Sequence, residues 1–462
     1  MVHPLLLPAG TPAIPVHCVA KADWPALRDG LAPLAHGFAQ AQAFEARPGQ
    51  HVLLPDAVGA LAAVMLGVEP AGPRRRDPFA PGRLAATLPP GNYALAGDIG
   101  DPNLAALGWL LTAYRFERYR KPKPAGARLV LPAGVDGEEV SNLAEASALA
   151  RDLVNTSAAD LGPAEIEAAV RALAEPHGAE VSSTVGDELL ATNFPMIHAV
   201  GRASPRAPRL IDLRWGKEGD PKLTLVGKGV AFDTGGLNLK TDAGMLLMKK
   251  DMGGAAAAIA AARMIMQAKL KVRLRLLVPA VENAVSGSSF RPGDVLQSRK
   301  GLTVEIGNTD AEGRLILADA LALADEEAPE LLIDFATLTG AARVALGPDL
   351  PPFYSHDDGL AAEIARLSAV VNDPVWRMPL WPPYDGMLES KIADLNNVSG
   401  GAFAGSVTAA LFLNRFVEKS RSYAHFDIYS WNPSTKPGRP EGGECQAARL
   451  TYALAKQFYG AR

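Results

Sequence analysis

"LTVEIGNTDAEGRLILADALALADEE" (302–327) carries three patterns in succession. It opens with a short apolar run containing β-branched residues. A loop follows with Asp310, Glu312 and Arg314. Apolar residues then recur every three or four positions. The change of period predicts a strand over 302–307 and a helix over 313–327. The same alternation extends on both sides. "LIDLRW" (210–215), "LTLVG" (223–227), "VRLRLLVPAV" (272–281) and "LLIDFATL" (331–338) are predicted strands, and "DMGGAAAAIAAARMIMQ" (251–267) a helix. Strands alternating with helices define an α/β domain with a largely parallel or mixed sheet.

Residues 1–120 read differently. They are rich in Ala, Pro, Leu and Gly, with short buried strands predicted at 51–55 and 93–97 and a helix at 103–119. The stretch 120–139 is punctuated by Pro and Gly and reads as a turn-rich boundary. A helix over 138–158 is predicted to link the domains. The expected fold is therefore α/β in two domains. These are a smaller N-terminal α/β domain (1–137) and a larger C-terminal α/β domain (159–462) with a central mixed sheet flanked by helices. No internal repeat is evident.

Bulk composition narrows the classes. The chain has 462 residues, is 48% hydrophobic and 21% charged, and carries a formal net charge of −4. That suits an ordinary globular protein and gives no electrostatic case for a nucleic-acid partner. Two cysteines, Cys18 and Cys445, do not make a disulfide framework, so a reducing cytoplasm is the expected location. The start "MVHPLLLPAG" lacks a basic region and a sufficiently long apolar run for a signal peptide, and no apolar stretch is long enough to span a bilayer.

Chemistry in open α/β sheets gathers beyond the carboxyl ends of strands. After 223–227 come Lys228, Asp233 and Lys240, and the helix at 251 opens with Asp251. After 302–307 come Asp310, Glu312 and Arg314. Four carboxylates cannot share a pocket as bare anions, because their repulsion would raise their pKa values until some protonate. Divalent metals resolve that conflict and can activate water for hydrolysis. A lysine joins such a site only as a neutral amine. Each residue also has a plainer reading. Asp310, Glu312 and Asp251 could serve as helix caps, Lys228 and Lys240 as surface lysines, and Arg314 as a surface ion-pair partner. "FDTGG" (232–236) contains Asp-Thr-Gly, but an aspartic-protease site needs two such carboxylates and only one such motif is present, so that reading requires a homodimer to supply the second. There is no P-loop, no His-Glu-x-x-His and no Gly-x-Ser-x-Gly. A phosphoesterase would call for a His-rich ligand set that the histidine spacing does not offer.

Taken together, "VGKGVAFDTGGLNLK", "MKKDMGGAAA", "NTDAEGRLILADAL" and "ATLTGAARVALG" resemble the leucyl (cytosol) aminopeptidase family. The resemblance runs from "RDLVNTSAADLGP" (151–163) to "HFDI" (425–428), and "LLTAYRFERY" (110–119) looks like the family's N-terminal domain. It implies a metal-dependent aminopeptidase with two divalent metals, zinc or manganese. Lys228, Asp233, Asp251 and Glu312 correspond to the tighter site, and Asp233, Asp310 and Glu312 to the exchangeable one. The spacings agree: five residues from Lys228 to Asp233, eighteen to Asp251, fifty-nine to Asp310 and two to Glu312. Lys240 and Arg314 match the non-ligand catalytic residues, and the counterpart of Arg314 holds a bicarbonate that shuttles the proton. Asn308, Met248, Thr337, Leu338 and Gly340 fall where the family holds its substrate. A homohexamer acting on peptides with free N-termini is implied, with no membrane and no nucleic-acid partner. The alternative class is a non-enzymatic DNA-binding or scaffold protein retaining the fold.

Two stretches depart from the best-known members. "GMLLMKKDM" (244–252) lacks the acidic residues expected before Met-Lys, and "YSWNPSTKPGRPEGGECQAARL" (429–450) replaces the usual tail. The departures bear on the pocket and on any preference for leucine, while the ligand positions are unchanged.

Overall fold

The computed structural model describes residues 1–70, 76–122 and 126–460. The chain divides into two units, Met1–Ala148 with Ser434–Glu441, and Leu149–Pro433 with Gly442–Arg462. The division falls inside the helix Gly137–Asn155, which corresponds to the helix expected over 138–158. Asp136 starts this helix, its Oδ1 accepting from the N–H groups of Glu138 and Glu139 at 3.0 Å each.

The first unit is built on a six-stranded sheet in the order Leu6–Leu7, Ala127–Val130, Gly91–Gly97, Ile14–Ala20, Leu61–Val68, His51–Pro55. Only His51–Pro55 runs antiparallel to its neighbour. Val16, Tyr93, Trp109 and Leu129 are fully buried in its core. Two sequence expectations are corrected here. The helix expected over 103–119 runs only Pro102–Ala113, because Tyr114 turns to extended backbone. Apolar spacing continues through Tyr114 and Phe116, so periodicity alone overran the end. The stretch 120–139 is not all turn. It contributes the strand Ala127–Val130, paired on both sides within the sheet; residues 123–125 of that stretch lie outside the described residues.

The second unit carries a mixed sheet ordered Trp376–Arg377, Pro352–Tyr354, Tyr423–Asp427, Leu331–Ala336, Lys222–Gly227, Arg273–Asn283, Arg209–Trp215, Glu180–Val185. Gly229–Asp233 adds to the far end of Arg273–Asn283 in parallel. Successive strand residues point to opposite faces. Val226 packs into the apolar cluster containing the helix Glu312–Glu326, while a Cβ on its neighbour Gly227 would lie 2.6 Å from Ala255 Cα of the helix Gly253–Gln267. Helices therefore cover both faces, which makes this an α/β unit with a mixed sheet. One strand was misplaced by sequence. The run expected over 302–307 forms only Thr303–Glu305, and it pairs with Val295–Gln297 and Leu395–Asn396 in a separate three-stranded sheet. Among the described residues no helix is long and apolar enough to cross a membrane.

Candidate metal centre

Lys228 directly follows the strand Lys222–Gly227, Asp233 closes Gly229–Asp233 and Asn283 closes Arg273–Asn283. Thr337 follows Leu331–Ala336, and Asp427 closes Tyr423–Asp427. These strands are mutually parallel, so the residues share one carboxyl edge of the sheet. Asp251 comes from the 3-10 helix Met248–Met252. Asp310 and Glu312 come from the loop after the small sheet and from the first residue of Glu312–Glu326.

None of the three acids is an N-cap, although Glu312 does occupy the first turn of its helix. The N-cap of Glu312–Glu326 is Ala311 and that of Gly253–Gln267 is Met252, neither with a side-chain cap. The carboxylates converge instead. Oxygens of Asp233, Asp310 and Glu312 all lie within 4.8 Å of one another. Lys228 Nζ donates to Asp251 Oδ2 at 2.6 Å and to Thr337 O at 3.0 Å, and lies 3.0 Å from Glu312 Oε1. Lys240 Nζ lies 2.8 Å from Asp233 Oδ2 and 2.5 Å from Asp310 Oδ1. Glu312 Oε1 and Asp310 Oδ1 are buried and, among the described residues, are met by these lysines alone, as ion pairs. Gly313 makes room for Lys228, since a Cβ there would lie 2.3 Å from Lys228 Cε.

Electrostatics mark the crowding. Burial pushes Glu312 well above the usual carboxylate range, with Asp233 adding to it and Lys228 opposing. Burial and then Asp233 lift Asp310 to about 6, against the pull of Lys240. Burial alone would lower Lys228, but Asp251, Glu312 and Asp233 outweigh it and hold the ammonium on. Lys240 is raised in the same way, its burial outweighed by Asp233 and Asp310. Burial draws Arg314 down to about 10, with Glu312 and Asp427 opposing. Arg314 Nη1 donates to Asn397 O at 2.6 Å, while its buried Nε has no partner.

Sequence reasoning missed the residues that brace this arrangement. Asn283 Nδ2 donates to Asp233 Oδ1 at 2.9 Å and to Thr309 O at 3.1 Å. Thr309 Oγ1 donates to Gly235 O at 2.6 Å and accepts from Asn238 N at 2.9 Å, which ties the two acidic loops together. Gly235 sits at φ +88°, a turn that lets its N–H reach Asp233 Oδ1 at 2.8 Å. Asn397 accepts from the N–H groups of Gly307 and Asn308 and donates to Asn308 O. Thr309 lies within the quoted NTDAEGRL string, whereas nothing in the local sequence marks the amides Asn283 and Asn397.

The residues expected to hold substrate are placed unevenly. Thr337 Oγ1 donates to Asp251 Oδ1 at 2.8 Å, and Asn308 Oδ1 accepts from Asp310 N at 2.7 Å. Both side chains therefore position carboxylate-bearing segments. Leu338 N donates to Asp427 Oδ1 at 3.1 Å, Met248 opens the 3-10 helix and Gly340 opens the helix Gly340–Leu346. Asp427 itself, and Lys250 beside Asp251, had no assigned role. Burial lowers Lys250 to about 7, with Asp251 opposing and Arg343 and Lys228 adding to the fall.

An acidic, lysine-buttressed centre on the carboxyl edge of a mixed α/β sheet is the class these observations define. Comparison with known proteins gives the family. Residues 148–452 match the cytosol aminopeptidase family, catalytic domain, and residues 14–132 match the M17 aminopeptidase, N-terminal domain. The chain belongs to the cytosol aminopeptidase family. A probable cytosol aminopeptidase of Chlorobium limicola is 43% identical over 313 residues, 67% of this chain and 62% of that protein. The crystal structure of a cytosol aminopeptidase from Coxiella burnetii is 46% identical, with a TM-score of 0.93 over 98% of this chain and 99% of that one. The bottromycin maturation enzyme BotP in complex with Mn is 34% identical, with a TM-score of 0.86 over 96% of this chain and 100% of that one.

Proposed function

We propose that this protein is an aminopeptidase that removes the N-terminal residue of peptides with the help of two divalent metal ions, manganese or zinc. The observation carrying this reading is the convergence of Asp233, Asp310 and Glu312 oxygens within 4.8 Å of one another, in a chain of the cytosol aminopeptidase family. Asp233, Asp251 and Glu312 would hold one ion together with Lys228, which must first give up the proton it holds here, and Asp233, Asp310 and Glu312 would hold the other. The donors suit such ions. They are mostly carboxylate oxygens, and two of the buried ones, Asp310 Oδ1 and Glu312 Oε1, are met by lysine ammonium groups alone among the described residues. When bound, the metals supply Lewis acidity toward the scissile carbonyl and a water of lowered pKa.

The chain's own groups divide the remaining work. Lys240 places a positive Nζ at the rim of the carboxylate cluster, where negative charge develops on the carbonyl oxygen. Asn283 and Thr309 hold Asp233 and the Asp310 loop at fixed separation, and Thr337 orients Asp251. Because the acids are committed to metals, none is free as a general base. The unpartnered Nε of Arg314 suits a small anion, and a bicarbonate held there would carry the proton. Its Nη1 is held by Asn397 O at 2.6 Å. A cytoplasmic homohexamer is the assembly carried over from the family. The net charge of −4 lends no support to the DNA-binding alternative.

The test is cleavage of aminoacyl p-nitroanilides by protein loaded with Mn²⁺, with and without chelator. Chelation should abolish turnover. Lys240→Met should lower kcat by about 10²–10³-fold with little change in KM. Chelator-insensitive cleavage, or full activity in Lys240→Met, would overturn the proposal.

A further inference from the structure

Beside the candidate metal centre lies a cluster of polar groups that the chemistry above does not use. Lys250, immediately before Asp251, is 2% exposed, and its Nζ has no hydrogen bond or ion pair among the described residues. It rests 4.7 Å from the centroid of the Tyr429 ring. The guanidinium carbon of Arg343, on the helix Gly340–Leu346, lies 5.0 Å from the same ring, and its buried Nη1 has no partner. Ser430 is fully buried, and its Oγ likewise has no partner.

Two glycines locate the cluster. A Cβ on Gly253 would lie 2.3 Å from Ser430 Oγ and 3.2 Å from Thr337 Cγ2, so Ser430 and Thr337 meet over the same glycine. A Cβ on Gly340 would lie 3.9 Å from Arg343 Nη2. Ser430 thus abuts Thr337, Arg343 lies beside Gly340, and Lys250, which precedes Asp251, shares the Tyr429 ring with Arg343.

The nearby acids are already engaged. Asp251 receives Lys228 and Thr337. Asp427 receives the N–H groups of Leu338 and Thr339 and the hydroxyls of Thr339 and Ser406. Two basic side chains and a hydroxyl therefore lie here without a hydrogen-bonded anion among the described residues; Asp251 and Asp427 favour the charged form of Lys250, and burial outweighs them. Removing such groups from water is unfavourable unless an opposite charge completes them.

We infer that Lys250, Arg343 and Ser430 receive the side-chain carboxylate of an acidic N-terminal residue, so that the enzyme releases Glu or Asp in preference to Leu. The inference rests on the aminopeptidase reading and names its substrate class. Tyr429 supports both cations through its ring face without neutralising them. An apolar first residue would leave the cluster uncompensated, and a basic one would add a third positive charge.

The experiment compares kcat/KM of the Mn²⁺-loaded protein on the α-p-nitroanilides of Glu, Asp, Leu and Lys, whose only possible carboxylate is the side chain. Glu or Asp should exceed Leu by about a hundredfold, with Lys slowest. Lys250→Met should cut cleavage of the preferred acidic substrate by about tenfold or more, chiefly through KM, and should raise cleavage of Leu. Arg343→Leu, at a partly exposed position, should shift the ratio the same way and serves if Lys250→Met does not fold. Leu cleaved as fast as both acidic substrates by the wild-type protein overturns the inference and leaves the aminopeptidase reading intact. So does an unchanged acidic-to-Leu ratio in the folded variants. Cleavage of none of the four overturns the aminopeptidase reading itself.

Discussion

Buried carboxylates in the second unit are held in two opposite ways. Glu444 takes Arg151 Nη2 at 3.1 Å on both oxygens, Asn432 Nδ2 at 2.6 Å and Cys445 N at 2.7 Å. Asp325 takes the N–H groups of Glu418, Lys419 and Ser420. These acids are completed by donors that the fold itself fixes. Asp310 and Glu312 are not. Each crowds against Asp233 and keeps a buried oxygen that, among the described residues, a lysine alone meets. The first arrangement serves stability and the second stores unmet demand for positive charge. The difference separates structural acids from functional ones more sharply than burial does, since Glu444 and Glu312 are both buried.

The comparison predicts opposite costs for removing the two kinds of acid. Glu312→Gln should lower kcat/KM of the Mn²⁺-loaded protein by about ten-thousandfold or more. Its metal-free denaturation midpoint should stay unchanged or rise, because a crowded acid is relieved. A variant that unfolds while its residual folded fraction turns over normally would break the contrast. Glu444→Ala should do the reverse. It removes the ion-pair partner of Arg151, which is 0% exposed, and should destabilise the fold by about 3–5 kcal/mol in denaturant titration. Activity per folded molecule should persist. A loss under about 1 kcal/mol would mean that the ion pair only breaks even with solvation.

The clustered acids were legible in the sequence, and most of their surroundings were not. Lys228, Asp233, Asp251, Asp310 and Glu312 sit in short strings beside predictable strands and helices, so type and spacing pointed to them. The braces Asn283, Asn397 and Thr309 act across tens of residues, and an isolated amide carries no periodic signal. The same limit explains the strand at Thr303–Glu305. Its apolar pattern predicts a strand but not which sheet receives it, because pairing is decided by tertiary contacts. The α/β alternation of the second half was readable because buried strands and amphipathic helices differ in period. The helix end at Ala113 was not, because apolar residues continue past it. Lys250 was hidden for another reason. In "MKKDM" it reads as one more surface lysine, and only its burial against Tyr429 separates it from Lys249.

Asp319 gives the finest test of the comparison, because it has features of both groups. Its oxygens accept from Met196 N at 2.8 Å, Ile197 N at 3.3 Å and Arg299 N at 2.8 Å, as a structural acid should. Yet burial pushes it from 3.8 up to about 7, with those N–H groups opposing. An acid whose folded pKa is raised contributes its full stability below the unfolded value, and that contribution is lost as pH rises through the folded one. The loss should therefore fall between about pH 4 and pH 7, at no more than about 1.4 kcal/mol per pH unit. Measured without metal in denaturant titrations at pH 5 and pH 8, the wild-type protein should lose more stability than Asp319→Asn, which has no proton to give up there. Equal losses in the two proteins would mean that three backbone N–H groups suffice to keep a fully buried carboxylate ionised. Asp319 would then belong entirely with Glu444 and Asp325, and unmet demand for positive charge would be confined to the acids around Lys228 and Lys240.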